Sequence, residues 1–136
     1  MAQSASTYLG GRIVASRRFA LLAAGDLVAL LLFATLGELR HAGTVAATLV
    51  TAVEFGIGWA VVAVALGAYG ARALGSPSRA AGLAAVSWAL GAVLGAAIRA
   101  AVEPLASFAP VFVLVTAGIG AVIFGVWRAL AARLLG

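Results

Sequence analysis

Four runs of apolar residues divide this chain of 136 residues, and they decide which solvent it can fold in. They cover Phe19–Gly37, Thr44–Tyr69, Ala81–Ile98 and Phe108–Trp127, each about 18–26 residues long. A helix needs about 20 apolar residues to cross the roughly 30 Å of hydrocarbon in a bilayer. Backbone polar groups in lipid must be satisfied within the protein, which only helices and closed barrels achieve. The runs are continuous and do not alternate, so they read as helices rather than barrel strands. Hydrophobic residues make up 65% of the chain and charged residues 10%, too few charges to cover a surface facing water. The expected fold is all-α, an integral membrane four-helix bundle with helices at about 19–37, 44–69, 81–98 and 108–127. Residues 1–18 precede this transmembrane domain of residues 19–136 as a cytoplasmic tail or an interfacial segment. The first run is long for a signal peptide, carries Asp26 and lacks a small-residue exit motif.

Orientation follows from the basic residues, all nine of which are arginine. Arg12, Arg17, Arg18, Arg72, Arg79, Arg128 and Arg133 flank the runs on one side, and only Arg40 and Arg99 fall on the other. Cytoplasmic loops carry the excess of basic residues, so both termini are expected in the cytoplasm of a multi-pass protein of the cell membrane. The same argument accounts for the net charge of +5 without nucleic acid, because the arginines form no continuous stripe interleaved with aromatics.

The candidate functional residues are the polar groups at membrane depth and the charged loops. Ionisable side chains in hydrocarbon are costly and usually face the bundle interior. Asp26 and Glu54 are the two in question, and a short loop makes their helices antiparallel neighbours. Two carboxyls brought close in low dielectric can share a proton, which is the chemistry of transport. Alternatively, a neutral Asp26 locks packing by bonding to Ser87, estimated to lie at a similar depth. Arg40, His41 and Arg99 form a charged mouth on the external side, or Arg99 simply pairs with Glu38 or Glu103. Gly91 and Gly95 form a G-x-x-x-G pair, and Gly58 adds a small face on the second helix; such positions mark close helix contact, within the bundle or between protomers. A homo-oligomer is expected on this basis. Tyr69 and Trp127 read as interface anchors. The chain lacks Cys and has one His, so no metal site and no cofactor are expected, and no catalytic residue is assigned.

Four stretches, "GDLVALLLFATLGELRHAG", "TAVEFGIGWA", "WALGAVLGAAIRA" and "SFAPVFVLVTAGIGAVIFGVWR", carry a resemblance that covers Gly25 to Arg128. They resemble domain of unknown function 3054, a membrane family of salt-loving archaea and some high-GC bacteria. The resemblance implies a four-helix membrane protein and brings no established activity. It shifts weight from Glu54, where the family tends to have Pro, toward Asp26, Arg40, His41, Trp59, Trp88, Arg99, Trp127 and Arg128. The leading functional reading is a homo-oligomeric transporter or channel for a small ion or solute. The alternative is a structural or accessory protein that binds a partner subunit, lipid or pigment; an embedded enzyme is the least supported class.

Overall fold

The computed structural model describes residues 6–41, 43–106 and 108–136; residues 1–5 of the expected tail, Ala42 and Ser107 lie outside the described residues. A two-stranded antiparallel hairpin, β1 (Ser6–Tyr8) and β2 (Ile13–Ala15), leads into four helices: α1 (Arg17–Leu39), α2 (Val45–Ala65), α3 (Pro77–Val102) and α4 (Pro110–Leu135). At 1.5 Å per residue, the shortest of these spans about 31 Å, enough to cross the hydrocarbon. All four are apolar enough to be membrane spans.

Local sequence explains where the helices begin. The hydroxyls of Ser16, Thr44 and Ser76 accept the backbone N–H three residues on, and Pro77 and Pro110 occupy first-turn positions where a missing N–H costs little. α2 stops four residues before the expected Tyr69. Gly67, at φ +80°, closes it with a paired cap: Ala68 N–H donates to Ala63 and Gly67 N–H to Val64. α4 runs on to Leu135, past the expected end at Trp127. The segment before α1, expected to be a tail or an interfacial helix, is a hairpin pinned to the α2–α3 connection by the Val14 N–H to Tyr69 carbonyl bond, 3.1 Å.

The outer surface is apolar, unlike that of a water-soluble bundle. Leu27, Val28, Leu31, Val53, Leu114 and Val122 lie exposed on the outside, while Asp26, Thr51, Glu54, Ser87, Thr116 and Arg128 are buried. That is the arrangement lipid favours: apolar groups outward, ionisable groups turned within.

α3 packs closely on α2 and α4, whereas α1 touches α2 and α4 more sparsely. The α2–α3 contact is built on glycine. A Cβ on Gly58 would overlap the Gly91 carbonyl, and one on Gly95 would press into Phe55. The G-x-x-x-G pair is therefore used inside the protomer, the first of the two contacts expected of it. Between the helices, aromatic rings form a chain. Trp59, Phe124, Trp88 and Phe33 follow one another with centroids 4.3, 4.7 and 4.7 Å apart, and Phe33 continues to Phe55 at 5.5 Å. These offset and edge-on contacts fill the centre of the bundle with closely packed apolar surface.

Candidate functional site

Two polar clusters lie at opposite ends of this aromatic chain. The first sits toward the end carrying both termini and the α2–α3 connection. Asp26 of α1 meets Arg128 of α4 as a bidentate pair, Nε to Oδ1 at 2.9 Å and Nη2 to Oδ2 at 2.7 Å. The Trp127 indole donates to Oδ1 at 3.0 Å, and the Tyr69 hydroxyl donates to Oδ2. Trp59 donates to the Tyr69 oxygen at 2.9 Å, and Arg128 Nη1 donates to the Ala68 carbonyl at 2.6 Å. The Arg128 guanidinium also lies over the rings of Tyr69 and Trp59, 4.8 and 5.7 Å from their centroids.

Each partner has a local cause. The Gly67 cap turns the chain so that Ala68 presents its carbonyl to Arg128 and Tyr69 points inward. Gly25 leaves room for the Trp127 ring, which any Cβ there would overlap. Burial, reinforced by the adjacent Asp26 carboxylate, pushes the Tyr69 phenol above its ordinary value, so it remains a proton donor.

This geometry corrects the expectation of a neutral Asp26 bonded to Ser87. A fork-to-fork carboxylate–guanidinium contact is that of an ion pair, and a charged partner outcompetes a hydroxyl for a buried carboxylate. Ser87 is fully buried on α3, and its Oγ has no partner among the described residues. Tyr69 and Trp127, expected as interface anchors, turn their polar atoms toward Asp26 instead.

The second cluster belongs to the end with the α1–α2 and α3–α4 loops. Arg99 Nη1 reaches Glu54 Oε2 at 3.1 Å and Thr51 Oγ1 at 3.2 Å, and its Nη2 reaches Glu103 at 3.3 Å. Thr51 in turn donates to Glu38 at 2.7 Å. Glu54 is 3% exposed, and its Oε1 has no partner among the described residues. The pairing of Arg99 with Glu103 agrees with the simpler reading from the sequence. Asp26 and Glu54 belong to separate networks, so the structure does not bring them together as a proton-sharing pair.

This second cluster forms one wall of a cleft of about 690 Å³. Phe33, Phe55 and Phe112 line it, with Arg40, His41 and Arg99 also among its lining residues. Leu36, Val115 and Ile119 both line the cleft and are exposed on the bundle surface, so it opens toward lipid as well as toward the loops. Among the described residues, no group of three or more His, Asp or Glu is placed to hold a metal ion.

The family model for proteins of unknown function DUF3054 matches residues 23–131, which takes in both clusters and most of each of the four helices. The chain belongs to that family. No curated protein and no solved structure matches it. As a DUF3054 member it is a multi-pass membrane protein with four apolar spans. The sequence points to Asp26, and the family resemblance adds weight to Arg128, but neither shows that Arg128 and Tyr69 are the partners of Asp26. A fourth apolar run that ends at Trp127 leaves Arg128 just outside the span, where it reads as a topology charge and not as a buried partner. The missed signal was the apolar stretch beyond it, "ALAARLL", which carries α4 two further turns.

Proposed function

We propose that the protein is a membrane carrier that receives a small amphipathic solute in the cleft at the Glu54–Arg99 end. One observation supports this most strongly: the cleft is open at one end and closed at the other by the Phe55–Phe33–Trp88–Phe124–Trp59 chain. Ligand sites are concave and mostly apolar, with a few polar groups that fix orientation. Aromatic walls beside an Arg99–Glu103 rim meet that description. A core packed shut by aromatic rings at one end argues for a carrier in a one-side-open state rather than a standing pore. In this reading the Asp26–Arg128 pair fastens α1 to α4 at the closed end, and sparsely packed α1 is the element that moves. The arginine distribution supports reading the open end as the external one. Since Gly91 and Gly95 are used internally, the reading does not require a homo-oligomer.

The test uses the chain in nanodiscs and a panel of cationic, zwitterionic and anionic amphiphiles of equal chain length. At least one is expected to raise the unfolding temperature, and Ile119→Trp, which fills the cleft, is expected to abolish that rise. The same compound should cross proteoliposome membranes only when the protein is present. Binding without flux would move the assignment to the accessory class. A panel with no effect, or one acting equally on the filled variant, rejects the cleft as a site.

A further inference from the structure

The opposite end of the molecule carries a second concavity that plays no part in the proposed carrier cycle. It is a broad groove of about 720 Å³ between the end of α2 and the start of α3. Its floor is glycine: a Cβ added to Gly67 or Gly82 would meet nothing within 4 Å. Leu66, Leu83 and Val86 supply its apolar wall, and Leu66 and Val86 are exposed where α2 and α3 face lipid. Arg72 and Arg79 stand at its polar rim, both exposed.

The charges around this rim are unbalanced. The chain has four acidic side chains. Asp26 is taken by Arg128, while Glu38, Glu54 and Glu103 belong to the cluster at the other end. Among the described residues, neither Arg72 nor Arg79 forms a salt bridge. Two unpaired guanidiniums above an apolar slot at headgroup depth are complementary to one kind of molecule. We propose that this groove is a binding site for an anionic phospholipid, with the phosphate between Arg72 and Arg79 and the upper acyl chain along Leu83 and Val86. Guanidinium is suited to this role because its planar fork meets phosphate oxygens in pairs. The glycine floor lets the lipid lie against backbone instead of side chains. Arg12, whose Nη1 donates to the Ala65 carbonyl, ties the hairpin to the C-terminal end of α2 and so keeps Gly11 beside the groove.

The experiment measures retention of phosphatidylglycerol, against phosphatidylcholine, by native mass spectrometry of the purified full chain. The wild type is expected to hold about one phosphatidylglycerol preferentially. An arginine near a membrane surface contributes about fivefold in affinity for anionic lipid, so Arg72→Gln with Arg79→Gln should weaken retention by about 25-fold. Gly82→Leu leaves every charge in place and fills the slot; it should lose the lipid while retaining wild-type helicity. Arg17→Gln with Arg18→Gln, which removes equal charge elsewhere at the same end, should retain it. Equal binding of the two lipids, equal loss in the Arg17/Arg18 control, or a folded Gly82→Leu protein that still binds would each overturn the site. Displacement by millimolar inorganic phosphate would also overturn it, by making free phosphate the ligand. The cleft's panel experiment is independent of all these outcomes.

Discussion

Removing one side of the Asp26–Arg128 pair strands a full charge among Trp59, Tyr69 and Trp127. Breaking a buried ion pair in this way costs about 3–5 kcal/mol, because the remaining charge has neither water nor a counterion. Asp26→Asn is therefore expected to destabilise the protein by that order, measured by denaturation in mixed micelles. Asp26→Leu combined with Arg128→Met should recover much of the loss, since apolar replacements of both partners are often nearly neutral. An Asp26→Asn protein as stable as wild type would show that the pair is not ionic. Tyr69 offers a second test at this scale. Its phenol is held protonated in the fold above the unfolded value near 10. The stability this brings is complete below pH 10 and falls as pH rises through the folded value. Stability should therefore decline above about pH 10 in wild type and decline less in Tyr69→Phe. Equal slopes in the two proteins would remove Tyr69 from the network. Asp26 itself was legible in the sequence, as a carboxylate in an apolar run. Its pairing with Arg128 was not, because a contact across about 100 positions leaves no local periodicity to read.

Helix existence was legible for the same reason that helix ends were not. Apolar runs of membrane length have few structural alternatives in lipid, so all four helices were readable from composition and continuity. Their ends depend on single residues: Gly67 in a left-handed cap stops α2 early, and an arginine with a buried partner lets α4 continue. The N-terminal hairpin escaped notice because three-residue strands carry almost no pattern. At this scale the glycines divide into two kinds that sequence alone does not separate. Gly58 lies against backbone, so Gly58→Ala must push α2 from α3 and is expected to cost about 1–3 kcal/mol by overpacking. Gly82 faces open space, so Gly82→Ala should be neutral or stabilise α3 by up to about 1 kcal/mol. Denaturation of the two single variants side by side checks both; equal effects would mean that the α2–α3 contact is looser than described. Gly91→Leu with Gly95→Leu is likewise expected to disrupt folding, not merely assembly.

At the scale of the whole molecule, the two polar clusters give the bundle a direction, and the membrane gives that direction a meaning. With Arg128 buried in an ion pair, it no longer counts among the loop charges that set topology. Six arginines then remain at the end with the termini and the α2–α3 connection (Arg12, Arg17, Arg18, Arg72, Arg79 and Arg133), against Arg40 and Arg99 at the other. Arg99 is further neutralised by Glu54 and Glu103, so the effective bias is as strong as before. Positive charge near spans is retained in the cytoplasm, so the proposed carrier cleft is expected outside and the proposed phospholipid groove in the cytoplasmic leaflet, where anionic lipid concentrates. Both functional readings depend on this one orientation. It is open to test because the chain has no cysteine to remove. Single cysteines at Leu105, fully exposed at the cleft end, and at Ser78, exposed beside the groove, report the two sides. In intact cells a membrane-impermeant maleimide is expected to label Leu105→Cys and to leave Ser78→Cys unlabelled until the cells are permeabilised. The reverse pattern would turn the molecule over: the cleft would then draw its solute from the cytoplasmic side, and the groove would face a leaflet with less anionic lipid to bind.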